Sequence, residues 1–173
     1  MSLDKSRLTE FLEVIDSELG EAITLVAAGG TAMTLLGIKP STIDVDFTGP
    51  AKSLDELKAV LDRLRPGFRV DYWPDGMVFS QTLPSDYLQK SIPIRTGFKH
   101  IELRALQPLD IVVTKIGRLN ERDWQDIEQS IKKFGLTSSQ IKRRAAQVEY
   151  AGNEEIYRSN ARSVIARFFQ EPG

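Results

Sequence analysis

Two aspartates, Asp44 and Asp46, flank Val45 in the stretch Gly29–Phe47, GGTAMTLLGIKPSTIDVDF. On a strand, residues two apart point the same way, so this spacing aims two carboxylates at one place and Val45 at the core. Like charges side by side raise each other's pKa, and a cation between them relieves the cost. Hard oxygen donors suit Mg²⁺, which keeps waters and bridges to substrate phosphates. Fourteen residues before Asp44 stands Gly30, second of the pair Gly29-Gly30, after an apolar run and before a helical pattern. Two glycines without Cβ let a phosphate come close to the backbone, and a helix N-terminus adds free amides. A phosphate cradle beside a carboxylate metal site is the equipment of phosphoryl or nucleotidyl transfer.

The rest of the composition narrows the chemistry. The 173 residues contain no cysteine and one histidine, His100. Thiolate nucleophiles, cysteine zinc sites, disulfides and two-histidine mechanisms are excluded. Lys and Arg number 23 against 24 Asp and Glu, a net charge of −1, so the whole chain is no polycation. Residues 1–131 carry a net −5 and residues 132–173 a net +4. The basic C-terminal stretch reads as a solvated helical face, or else as a surface for a polyanion. No window has the length and apolarity of a membrane span. The acidic, amphipathic N-terminus does not read as a secretion signal, so a cytoplasmic protein is expected.

The positioning elements follow from periodicity. Residues 5–19 repeat apolar residues at helical spacing, and Ile23–Ala28 reads as a buried strand. Thr31–Leu36 reads as a short helix capped by Gly37, and Thr42–Phe47 as an alternating strand. Ser53 and Glu56 have the spacing of a capping box for a helix to Leu64. A strand over Phe68–Trp73 follows, then a Pro- and Gly-punctuated segment, 74–91, that resists assignment. Ile92–Thr96 and Lys99–Leu106 read as a hairpin around Gly97. From Pro108 onward only helices are expected: one to Leu119, one over Asp123–Phe134, one opened by a capping box at Thr137–Gln140, and one from Asn153 to Phe169. The layout is a mixed α/β body, residues 1–107, with a helical C-terminal region, 108–173, packed on it.

These residues resemble the nucleotidyltransferase superfamily that includes DNA polymerase beta and the small prokaryotic nucleotidyltransferases. Its signature is Gly-Gly or Gly-Ser, a short helix, Asp-x-Asp on a strand, and a third carboxylate from a neighbouring strand. Asp71, in FRVDYW, has the matching place. LPSDY (Leu83–Tyr87) and PLDIVVTKIGRLNERDWQDI (Pro108–Ile127) are similar to uncharacterised prokaryotic members related to the toxin of abortive-infection toxin–antitoxin pairs. Residues 136–173 carry no such likeness. The second glycine stands where many active members have a serine, a replacement that the toxin relatives accept.

The resemblance implies an α/β nucleotidyltransferase fold and Mg²⁺-dependent transfer of a nucleoside monophosphate from a nucleoside triphosphate to an acceptor hydroxyl. Asp44, Asp46 and Asp71 would hold two Mg²⁺ ions; Gly29, Gly30 and the Thr31 amide would hold the phosphates. The acceptor stays open between a tRNA end, a protein and a small molecule, as do the base, the partner and the oligomeric state. The alternative is an inactive nucleotide-binding or antitoxin-like interaction module of the same fold.

Each residue also has a plainer reading. Asp75 and Glu102 compete with Asp71 for the third carboxylate, though turn chemistry explains Asp75. Lys39 and Thr42 sit beside the acids, and Lys39 can meet a phosphate. Lys115 is either a phosphate contact or a lysine whose stem passes the core. Arg122 follows it as a candidate nucleotide contact, while Arg122, Asp123 and Asp126 also suit the capping of the next helix. His100 reads as structural. Tyr72 and Trp73 read first as core and second as a base stack. Lys142, Arg143 and Arg144 are candidates for contact with a nucleic-acid acceptor.

Overall fold

The protein is described by a computed structural model, which covers residues 1–170; the last three residues of the C-terminal stretch lie outside the described residues. The chain opens with β1 (Leu3–Asp4) and α1 (Lys5–Glu18), where Asp4 caps the helix by accepting from the Arg7 amide. There follow β2 (Ile23–Ala27), α2 (Gly29–Leu35), β3 (Ser41–Thr42), β4 (Val45–Gly49) and α3 (Ala51–Leu64). The segment left unassigned holds the end of β5 (Val70–Pro74), then β6 (Met77–Val78), β7 (Gln81–Thr82) and α4 (Tyr87–Lys90). Next come β8 (Ile92–Pro93), β9 (Ile101–Ala105), α5 (Pro108–Ile116), α6 (Glu121–Phe134) and α7 (Ser138–Ala145), then β10 (Glu149–Tyr150) and α8 (Glu154–Phe169).

The main sheet is mixed and five-stranded, in the order β5-β4-β2-β9-β8. The β4–β5 and β2–β9 pairs are parallel; β2–β4 and β8–β9 are antiparallel. β2 is central and wholly apolar apart from Thr24, as a strand covered on both faces must be. α3 makes the crossover between β4 and β5, and it packs on α1 and on β2. α5 is the hub of the helical half, touching α2, α6, α7 and α8. Ile111, Val112, Val113 and Ile116 of that helix are fully buried and belong to the same apolar cluster as Leu25, Val26 and Phe47 of the sheet. This is the α/β fold with flanking helices that the motifs implied.

Several local expectations are corrected. α3 begins at Ala51, so Ser53 does not cap it; the Ser53 hydroxyl instead accepts from the Thr24 amide at 3.1 Å, tying α3 to β2. α6 is capped by Asn120, which places Asp123 at the third helical position of a reciprocal capping box. Thr137 and Gln140 form the box expected of them. The C-terminal half is not purely helical, because β10 pairs with β7. β8 is only two residues long, and the bend before β9 is gathered by Asp16 of α1. Its carboxylate accepts from the amides of Lys99, His100 and Ile101 at 2.8, 2.7 and 2.8 Å. His100 accordingly stands against the Asp16 backbone, its Nδ1 3.1 Å from the Asp16 carbonyl.

Candidate active site

The acidic motif straddles the start of a strand rather than lying within it. β4 begins at Val45, so Asp44 precedes it and is exposed, while Asp46 is inside it and 5 % exposed. Thr31 of α2 sets this junction. Its hydroxyl accepts from the Asp46 amide at 2.9 Å and donates to the Asp44 carbonyl at 3.2 Å. Thr42 donates to the same carbonyl at 2.8 Å. Two hydroxyls thus fix the backbone that carries both acids. The Thr31 side chain is a brace, not a ligand contact.

Asp71 lies directly across from Asp46 in the β4–β5 register. Its Oδ2 is 2.7 Å from Arg69 Nε. Asp44, Asp46 and Asp71 all line one cleft of about 540 Å³. Burial, then Asp71, then Asp44 push the Asp46 carboxyl up to about 7, against the opposing pull of Lys115 and Arg118. That crowding is what a cation would relieve. The donors are hard oxygens of the kind Mg²⁺ takes, so the residues fit the group. As they stand, no three Asp, Glu, His or Cys side chains are gathered closely enough to enclose a metal ion among the described residues. Glu102 is exposed, pairs with Arg104 and does not line the cleft.

The cleft also has a basic lining. Lys39, Lys115, Arg118 and Arg122 line it together with Asp123 and Asp126. Lys115 is 3 % exposed, its ammonium 2.9 Å from Asp126 and 3.4 Å from Asp123. Lys39 reaches Asp126 at 3.5 Å, and Arg118 grips Asp123 through two bonds of 2.8 Å. A buried lysine needs such partners, since an unpaired internal charge is strongly destabilising. Burial, with Lys115 and Arg122 nearby, holds the Lys39 ammonium below its usual range even though Asp126 pulls the other way. Lys39 is therefore a partly buried cation of the cleft whose carboxylate partner, Asp126, is shared with Lys115.

Gly29 and Gly30 are the first two residues of α2. A Cβ on Gly29, whose φ is +50°, would stand 2.9 Å from Asp46 Oδ2 and 3.0 Å from the Phe79 ring. One on Gly30 would stand 2.5 Å from the Thr42 hydroxyl and 3.1 Å from the Lys39 ammonium. The glycines let the chain's own acid, ring, hydroxyl and ammonium converge, and of the two only Gly30 lines the cleft.

Sequence reasoning missed Arg118 and Phe79. Arg118 lies three residues after Lys115, one helical turn further, and that spacing was the available signal. Phe79 carried none, because its place depends on the short β6–β7 hairpin. Trp73 lines the cleft and meets Phe79 edge-to-face at 5.0 Å, whereas Tyr72 packs on the core. The basic tail is corrected in part. Arg144 is 4 % exposed and bonded to Asp110 at 2.6 and 2.9 Å and to Asp86 at 2.9 Å, so it is structural and not available to an acceptor.

Residues 6–168 match the model of a family described as nucleotidyltransferase of unknown function, DUF6036. The fold is similar to that of ANT(2'')-Ia, an antibiotic-resistance factor, with a TM-score of 0.54 and 15 % identity over 98 % of this chain and 100 % of that one. An antigenic nucleotidyltransferase-like protein from Paracoccidioides brasiliensis is similar at 18 % identity, covering 84 % of this chain and 88 % of that one, with a TM-score of 0.49. No curated protein matches the sequence. Among the described residues, no helix is long and apolar enough to cross a membrane.

Proposed function

The chain belongs to the nucleotidyltransferase family of unknown function DUF6036, and from that premise we propose that, with the help of Mg²⁺, it joins the α-phosphate of a nucleoside triphosphate to the oxygen of an acceptor hydroxyl, breaking the α–β phosphoanhydride bond and releasing pyrophosphate and the hydroxyl proton. The observation that carries the reading is one cleft lined both by three aspartates, Asp44, Asp46 and Asp71, and by the cations Lys39, Lys115 and Arg122. Transfer needs both, one for cations and one for phosphates.

In this reading Asp44, Asp46 and Asp71 hold two Mg²⁺ ions. Bound there, they would supply charge stabilisation for the reacting phosphate and a lowered pKa for the acceptor hydroxyl. Lys39 and the Gly30 backbone hold the outer phosphates, with Gly29 making room for Asp46 and with Thr31 and Thr42 keeping the acid-bearing backbone in place. Lys115 is a positioning residue that keeps α5 and α6 in register and sets the field at Asp46. No histidine base is needed.

A second reading, nucleotide binding without transfer, draws support from the Asp71–Arg69 ion pair, which occupies the third carboxylate. One experiment separates them. Each triphosphate, labelled at the α-phosphate, is incubated with the protein, Mg²⁺ and total cell lysate. Transfer predicts label in one macromolecular or small-molecule fraction, absent with Asp46→Asn. Binding without transfer predicts none. The labelled fraction distinguishes a tRNA end, a protein and a small molecule, and a labelled tRNA or protein would support a toxin–antitoxin role in the cell.

A further inference from the structure

We propose that Arg118 is the seat of the donor's nucleobase, its guanidinium stacking one face on the planar base of the bound triphosphate. This rests on the nucleotidyl-transfer reading above and adds to it where the base lies.

The guanidinium is held on two sides. Its Nε and Nη2 donate to the two oxygens of Asp123, which is fully buried and anchored in turn by the Asn120 amide and by Lys115. Its central carbon, Cζ, lies over the Phe79 ring, 4.6 Å from the centroid. Phe79 is steadied by Trp73 edge-on and by the Gln81 amide, which donates to the Phe79 carbonyl. Phe79 and Ser80 are consecutive non-glycine residues at φ +51° and +68°. Such backbone persists where the surroundings enforce it, and it clusters at ligand clamps.

What remains is informative. One edge of the fork, Nε with Nη2, is already engaged by Asp123. Nearly half of the side chain, 46 %, is still exposed where it lines the cleft. A planar cation that rests on an aromatic ring and is still nearly half exposed suits a planar π-system. Stacking on Arg guanidinium planes is a recognised seat for bases, and stacking is tolerant of base identity. Lys115, one turn earlier, is the buried point charge of the pair.

The test is calorimetric titration of the four common ribonucleoside triphosphates and of inorganic tripolyphosphate, each with Mg²⁺, into wild type, Arg118→Lys and Phe79→Leu. Arg118→Lys keeps a cation for Asp123 and removes the plane; Phe79→Leu removes the ring beneath the guanidinium and leaves every charge. Each variant should weaken binding of the tightest triphosphate by about tenfold, with tripolyphosphate binding unchanged. If both ligands weaken together, Arg118 is a phosphate contact and the proposal fails. It fails too if triphosphate binding is unchanged, or if wild type binds tripolyphosphate as well as any nucleotide. Wild type binding neither ligand would instead overturn the transfer reading itself. Should Arg118→Lys melt far below wild type, Phe79→Leu, which touches no ion pair, carries the same comparison.

Discussion

Asp46 and Asp71 face each other across adjacent parallel strands, partners in the register that also pairs Val45 with Val70. Neither residue's own sequence context specifies this. It arises because α3 returns the chain parallel to β4, and because Thr31 fixes where β4 starts. The pair places a nearly buried carboxylate against a half-buried one and defines the acidic lining of the cleft.

The first prediction concerns pH. Asp46 holds its proton up to about 7, against 3.8 for an ordinary aspartate carboxyl. A raised folded pKa means the folded state binds the proton more tightly. The resulting stabilisation is complete below about pH 4 and is lost as pH rises through about 7. At about 1.4 kcal/mol per unit, the loss is on the order of 4 kcal/mol without metal. Asp46→Asn should abolish this slope, and urea unfolding from pH 4 to 8 measures it. Parallel curves for wild type and variant would contradict the assignment.

Asp16 behaves in the opposite sense. Burial acts to raise its pKa, but the three amides and His100 together outweigh it and hold the carboxyl below its usual range. Its contribution is present above the unfolded value of about 3.8 and is lost as pH falls through the lower folded value. Asp16→Ala should cost about 3 kcal/mol at pH 7, the scale of hydrogen bonds to a charged group. The gap to wild type should narrow in acid, which chemical denaturation at pH 7 and below pH 3 would show.

Lys115 is the buried centre of the basic lining. Lys115→Met leaves Asp126 with only Lys39 and Asp123 with only Arg118 among side-chain cations. The expected loss is roughly 3–5 kcal/mol. Adding Asp126→Asn should return part of it, because the unpaired carboxylate is then removed. A double variant no more stable than the single one would show that Lys115 acts by packing alone.

Gly30 tests the convergence at the turn. Gly30→Ala drives a methyl group toward the Thr42 hydroxyl, which must move and release the Asp44 carbonyl. Triphosphate binding should weaken, and Thr42→Ala in the same chain should restore part of it. Unimpaired binding by Gly30→Ala would mean that the turn tolerates a side chain.

Much of this was legible in the chain. The Gly-Gly turn and the two aspartates are legible in the spacing and Asp71 through the family resemblance, and the structure brings Gly30 and the three acids to one cleft. Lys39, Thr42, Lys115 and Arg122 also line it. The illegible parts depend on distant contacts. Ser53 looks like a helix cap and serves as an inter-element bond, because Pro50 starts α3 three residues earlier. Arg144 looks like one of a basic cluster, yet it is buried between Asp110 and Asp86, residues 34 and 58 positions away. Phe79 reaches the site only through two left-handed residues that no periodicity announces.

The central claim is one cleft that takes cations at its aspartates and phosphates at its basic residues. Titration of a nucleoside triphosphate into wild type and Asp46→Asn, with and without Mg²⁺, tests it most directly. The account predicts saturable binding by wild type that strengthens with Mg²⁺, and a folded Asp46→Asn protein in which that strengthening is gone. Binding indifferent to Mg²⁺, or equal in the two proteins, would contradict it.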